Sequence, residues 1–184
     1  MRKLLIVGDS FSSNFSTVSW TTMLPNFLIT NLSTAGSSEY RILKKIMEAD
    51  LKNFSHIIVV HSSPYRIYID NIPMHLDNAV YKDCDLIYKD VKNVRVKTEF
   101  TNNIEWYFEN VFDLEQANPM YELMTTAIVN LTKSMTVVHL TFFDNPPNPA
   151  ISNLHHIWKN FPGSINHLDK NGNKKVAEFI NNML

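Results

Sequence analysis

Two residues far apart in the chain are the best placed to do chemistry. Ser10 follows the apolar run Leu4-Leu5-Ile6-Val7 and the pair Gly8-Asp9, so it stands where a strand gives way to a turn. There a hydroxyl projects from the sheet's edge and neighbouring N–H groups face the same space, a setting that suits a nucleophile. A tight turn with a helix cap fits these residues as well. His167 comes just before a C-terminal helical segment, in Ser164-Ile165-Asn166-His167-Leu168. Its imidazole can take a serine proton near neutral pH and return it to a leaving group, although an ordinary loop histidine fits the same position.

Other side chains have weaker claims. His61 ends an apolar run and is a candidate for the mouth of a pocket; Tyr65 and Arg66, four and five residues on, are candidates for substrate contact or for a solvated loop. Seven histidines invite a metal reading, but His155 and His156 are adjacent, His61 and His139 fall at or in strands, and no His-Glu-x-x-His spacing occurs. No metal is expected. The single cysteine, Cys84, allows no internal disulfide and fits a reducing compartment. Asp83 and Asp85 beside it read as surface with a small satellite core.

These residues need a frame to position them, and the apolar pattern supplies one. Leu4 to Val7 is a short unalternating run, as in a strand buried on both faces. Residues 28 to 32 read as a second strand, with a short helix around Trp20 as an option before it. Ser37-Ser38-Glu39 can cap a helix in which Ile42, Leu43, Ile46 and Met47 recur at helical spacing. Ile57 to Val60, four β-branched residues in a row, is the plainest strand. Residues 67 to 116 show no sustained period and read as an insertion. Pro119 marks a helix start, with Leu123, Ala127, Ile128 and Leu131 for packing, and residues 135 to 143 form a further strand. After a turn-rich break at Asp144-Asn145-Pro146-Pro147-Asn148-Pro149 and a loop with some local helix, Asp169 caps a helix from about Lys170 to Asn182. Strands alternating with helices predict an α/β fold whose parallel sheet is covered on both faces. Functional residues then collect at the strands' carboxyl ends.

At 184 residues, with 45% hydrophobic and 19% charged side chains, the expectation is one domain with one core. A formal charge of -1 without long runs of either sign predicts no nucleic-acid partner and favours a neutral or small polar one. No stretch reaches the roughly 18 apolar residues of a membrane span. The start, Met1-Arg2-Lys3-Leu4, resembles a signal peptide but is cut short at Gly8, so the expected location is cytoplasmic.

The order of short motifs along nearly the whole chain resembles the SGNH (GDSL-like) hydrolase family. Gly8-Asp9-Ser10, with Trp20 and Leu24 after it, is similar to the family's first block, which implies Ser10 as nucleophile and its N–H as an oxyanion donor. Gly36, after the second strand, matches the glycine that supplies another donor. In the third block an asparagine is usual. This chain has His61-Ser62-Ser63-Pro64-Tyr65-Arg66 instead, a variant similar to some SGNH-like phage proteins, and Ser63 takes the asparagine's place. In the last block His167, Leu168, Gly172 and Ala177 match, while Ser164 stands where the family has an aspartate. Ser164, a main-chain carbonyl, or a carboxylate such as Asp144 are the candidates for orienting His167.

The resemblance implies a three-layer α/β/α sandwich with a parallel sheet of about five strands. It implies a serine esterase acting on small acyl esters, with acetylated carbohydrate as one candidate class, without a cofactor. Two other readings share the fold: a binding or scaffolding protein that has lost turnover, and an acyltransferase using the same serine. A flavodoxin-like nucleotide or flavin protein is disfavoured, because no Gly-x-Gly-x-x-Gly or P-loop is present.

Overall fold

The computed structural model describes residues 1–13, 18–69, 85, 87–92, 98–144, 146–163 and 167–184. Five strands, β1 (Arg2–Gly8), β2 (Phe27–Asn31), β3 (His56–His61), β4 (Thr136–Thr141) and β5 (Ile151–Asn153), form one sheet in the order β2-β1-β3-β4-β5. Every neighbouring pair is parallel. The sheet is therefore the one the apolar runs predict, and the alternation of its side chains explains why the runs do not alternate with polar residues. Leu4, Ile6, Ile58 and Val60 enter a core on one face. Leu5, Val7, Ile57 and Val59 enter a second core on the other. Residues 4–7 of β1 and 57–60 of β3 are thus apolar without interruption because both faces are covered there.

Helices α1 (Glu39–Glu48) and α4 (Leu114–Thr132) pack together over the second face, to which they contribute Ile42, Ile46 and Ile128. The first face is covered by a 3-10 turn at Trp20–Met23 and by helices α5 (His155–Asn160) and α6 (Lys170–Met183). Ser38 caps α1 by accepting the Arg41 N–H at 3.2 Å, and Asp169 caps α6 by accepting the Gly172 N–H at 2.7 Å, so both expected caps are found.

Several helical expectations need correction. Met47, Leu123 and Leu131, expected to pack, are exposed. On α4 the buried stripe is instead Tyr121, Thr125, Ile128 and Thr132. The helix starts five residues before Pro119, with Asp113 as its cap, so Pro119 lies inside it. Within the expected insertion, α2 (Tyr88–Lys92) and α3 (Glu99–Asn110) gather Val91 and Phe108 into a satellite cluster with Ile67, Ile69 and Phe112. The stretch after residue 149, expected as a loop with some local helix, holds the six-residue α5 and also the three-residue strand β5, too short to show a period.

The chain crosses from β1 to β2 on one side and later returns through β3 on the other. The sheet's topological switch point thus lies between β1 and β3, and in such sheets ligands bind outside the strands' carboxyl ends at that point. Gly8 ends β1 there and His61 ends β3. Among the described residues no helix is long and apolar enough to cross a membrane.

Candidate active site

Ser10 stands on the first turn beyond β1, and that turn is held from every side. Asp9 accepts the Ser12 and Ser13 N–H groups on its carbonyl, at 3.2 and 3.1 Å, and the Phe11 N–H on Oδ1 at 3.0 Å. The indole Nε1–H of Trp20 donates to the Phe11 carbonyl at 2.7 Å, and Asn31 Nδ2 donates to the Ser12 carbonyl at 2.7 Å. Gly8 permits this packing, because a Cβ there would come within 2.6 Å of Val60 Cβ and 2.8 Å of its carbonyl oxygen. Burial raises the Asp9 carboxyl to about 7; the Phe11 N–H and the charge of Arg66 oppose that shift, and Glu39 adds to it.

His167 reaches the same place from the far end of the chain. Its carbonyl accepts the Gly163 N–H at 2.6 Å, and the next residue, Leu168, bridges to Pro162. Ser10 and His167, both half-buried, line one cleft together with Phe11, Ser13, Val18, Ser19, Leu168 and Asn173. The two residues singled out for chemistry, 157 positions apart in sequence, therefore line the same cleft. Of the aromatic rings here Phe11 lines the cleft; behind it, it stacks on the buried Phe142 at 4.4 Å between ring centres and meets Phe143, Trp158 and His167 at 6.0, 6.2 and 5.6 Å.

Gly36 occupies the turn after β2 with φ 66°, in the left-handed region that glycine adopts without penalty. Ser63 is buried beyond β3; its Oγ accepts the Tyr65 N–H at 3.3 Å and keeps its own O–H as a donor. Neither Gly36 nor Ser63 lines the cleft shared by Ser10 and His167. Ser164 lies outside the described residues, as do Asp83 and Cys84. Asp144, the other carboxylate considered for His167, is 3.3 Å from His155 Nε2 and largely exposed.

His61 differs from expectation. It is fully buried and faces the layer of α1 and α4, away from any pocket mouth. Its Nδ1 is 2.6 Å from Glu39 Oε1 and its Nε2 is 3.0 Å from His139 Nδ1, while His139 Nε2 is 3.3 Å from Thr132 Oγ1. Thr132 also donates to the Ile128 carbonyl at 2.8 Å, so a continuous polar chain runs from Glu39 through His61 and His139 to α4. The other carboxylate oxygen of Glu39 accepts the Ser62 N–H at 3.0 Å, which fastens the start of α1 to the exit of β3. Burial, reinforced by His61, lowers His139 to about 3, so it stays neutral.

Asp85, expected at the surface or in a small satellite core, is corrected by the structure, where it is a buried acceptor. It is fully buried and accepts from Ser38 N–H at 2.7 Å, Arg41 Nε at 2.9 Å and Ile69 N–H at 3.1 Å. Its own N–H donates to the Gly36 carbonyl at 3.0 Å, and its carbonyl accepts from Arg66 at 2.6 Å. Arg66 is thus tied to the insertion, while Tyr65 is exposed. The insertion also braces the Gly36 turn. No spacing marked Asp85 or Glu39, because each acts through partners distant in sequence.

No family model matches this sequence, and no curated protein does either. Solved structures do. The psychrotrophic esterase EstA from Pseudoalteromonas sp., captured inhibited by monoethylphosphonate, is 12% identical over 100% of this chain and 96% of its own, with a TM-score of 0.55. The lipase Lip_vut3 from a goat rumen metagenome is 10% identical, covering 100% of this chain and 97% of its own, with a TM-score of 0.56. The acetyl xylan esterase AlAXEase, at 10% identity, covers 99% of both chains with a TM-score of 0.56. The expected kinship with phage proteins draws no support from these structures. What they share with this chain end to end is architecture: a five-stranded, all-parallel sheet between helical layers, the SGNH hydrolase fold.

Proposed function

We propose that the chain is a serine esterase in which Ser10 is the nucleophile and His167 its base. The observation that carries this reading is that one cleft, beyond the carboxyl end of β1, is lined by both residues. His167 takes the Ser10 proton as Oγ bonds to the ester carbonyl carbon. The resulting oxyanion is met by the N–H groups of Ser10 and Gly36 and the hydroxyl of Ser63. Collapse of that intermediate expels the alcohol, which receives the proton from His167, and leaves an acyl-Ser10 ester. Water, deprotonated by His167, then releases the acid and restores the serine. No metal or organic cofactor enters these steps.

The substrate is a small acyl ester, and acetylated carbohydrate is the class we favour. Two observations support it: Phe11, an aromatic ring lining the cleft beside Ser10 and His167, and the acetyl xylan esterase among the similar structures. Ser164 stands in place of the family's aspartate, and it, a main-chain carbonyl and Asp144 are the candidates for orienting His167. The family's usual asparagine donor is replaced by Ser63, whose rotatable hydroxyl is less preorganised, so turnover is slow relative to a member with both residues.

The test is labelling by a small fluorophosphonate, read by intact mass on the parent and on Ser10→Ala and His167→Ala. Stoichiometric labelling of the parent, none of Ser10→Ala, and slowing of about a hundred-fold or more in His167→Ala are expected. A folded parent that binds acetylated sugars without being labelled would make it a binding protein on the same fold.

A further inference from the structure

Asn173, in the first turn of α6, links the two halves of the cleft. It is buried, and its carboxamide is used on both sides. Oδ1 accepts the Trp20 backbone N–H at 2.9 Å, while Nδ2 donates to the carbonyls of Leu168 and Asp169, at 3.2 and 2.9 Å. Trp20 in turn donates its indole N–H to the Phe11 carbonyl at 2.7 Å. A continuous chain of hydrogen bonds therefore runs from the residue after Ser10, through Trp20 and Asn173, to the residue after His167.

Resting on the serine-esterase reading above, we infer that Asn173, acting with Trp20, is a positioning residue that sets His167 against Ser10. The chemistry of each link is specific. The Trp20 N–H opens a 3-10 turn and has no acceptor within that turn, so it requires one from outside. The carbonyls of Leu168 and Asp169 require a donor. A carboxamide meets both demands at once; a carboxylate meets only the first, and turns its second oxygen against two carbonyls. Trp20 is fully buried and fixed by packing, which makes it a rigid spacer between the two loops. Neither residue is in reach of the bond-making atoms through these contacts, so both act through the geometry of the nucleophile and the base.

Asn173→Asp and Trp20→Phe test the inference, with the fluorophosphonate labelling rate and the NMR position of the His167 ring as readouts. The His167 Cε1–H signal, identified by its loss in His167→Ala, carries a ring-current displacement from Phe11, whose ring centre is 5.6 Å away. Asn173→Asp is expected to label about a hundred-fold more slowly and to move that signal. Trp20→Phe, which removes a single hydrogen bond, is expected to label about ten-fold more slowly. In a His167→Ala background Asn173→Asp should slow the residual labelling no further, an outcome that general loosening of the fold would not produce. Parent-rate labelling together with an unmoved His167 signal in either variant overturns the inference. If the parent itself is not labelled, the esterase reading fails, and the His167 signal alone decides whether Asn173 positions the ring. Should Asn173→Asp not fold, Trp20→Phe carries the same test.

Discussion

The carboxylate of Glu39 closes on the imidazole of His61 at 2.6 Å, with both side chains out of solvent. The pair joins the first residue of α1 to the last of β3, the two elements that carry the Gly36 turn and the Ser62-Ser63 exit. Glu39→Ala leaves the Ser62 N–H and His61 Nδ1 without their acceptor. Breaking a buried pair from one side costs about 3 kcal/mol or more. Urea unfolding is the measurement, with Glu39→Gln expected to lose less because one oxygen remains; equal stability of parent and Glu39→Ala would contradict this account.

His139 gives this network a pH dependence. Unfolded, it takes a proton near 6.5; folded, burial and His61 hold it down to about 3. Between those values the unfolded state binds more protons. The stability associated with His139 is therefore complete above about pH 6.5 and is lost as pH falls from there toward 3. The parent should unfold at lower urea at pH 5 than at pH 7, with a smaller drop in His139→Gln. An identical drop in the two would remove His139 as the cause.

Asp9 works in the opposite sense. Its folded value, raised to about 7 chiefly by burial, exceeds the ordinary 3.8, so the folded state holds the proton more tightly. Stability is therefore lost as pH rises from about 3.8 to 7. Asp9→Asn keeps an oxygen for the Phe11 N–H and no longer titrates. Its melting temperature, compared with the parent's, should improve between pH 5 and pH 8; a pH-independent difference would rule out a titrating Asp9.

Asp85 braces the Gly36 turn with its main chain and the start of α1 with its side chain. Asp85→Ala strips the acceptors from Arg41, Ser38 and Ile69. A loss of about 3 kcal/mol in urea unfolding is expected, accompanied by faster tryptic cleavage after Arg66. Unchanged cleavage would show that the brace is held by the main chain alone.

At Gly36 the left-handed backbone, φ 66°, sets the cost of a side chain. Gly36→Ala should destabilise by about 1 kcal/mol. Fluorophosphonate labelling should slow further than Ser10 accessibility alone explains, because the N–H assigned to the oxyanion shifts with the turn. Labelling at the parent rate would take Gly36 out of the oxyanion assignment.

The sheet was legible because its physics is local. Ile57 to Val60 can scarcely be anything but a strand, and an unalternating run such as Leu4 to Val7 announces burial on both faces. The caps Ser38 and Asp169 were equally legible, since a capping side chain bonds within three residues of itself. Strand β5 was not, nor were the bounds of helix α5, both being shorter than any period that could reveal them. Side-chain direction on α4 also escaped, because Leu123 and Leu131 share the helix with Tyr121 and Thr125, and only docking on α1 and the sheet decides which stripe goes inward.

By itself, then, the sequence determined the α/β class, the order of the strands' segments, and Ser10 and His167 as the residues to watch. The class and the strands follow from propensity and periodicity, properties of short stretches, while Ser10 and His167 stood out by the order of motifs that resembles the SGNH family. Only the tertiary structure decided that the two share a cleft, that His61 turns inward to Glu39 rather than outward to a ligand, and that Asp85 and Asn173 tie together loops dozens to more than a hundred residues apart. A buried polar group must find its partner wherever the packed chain brings one, and that partner's place in the sequence carries no trace of the meeting.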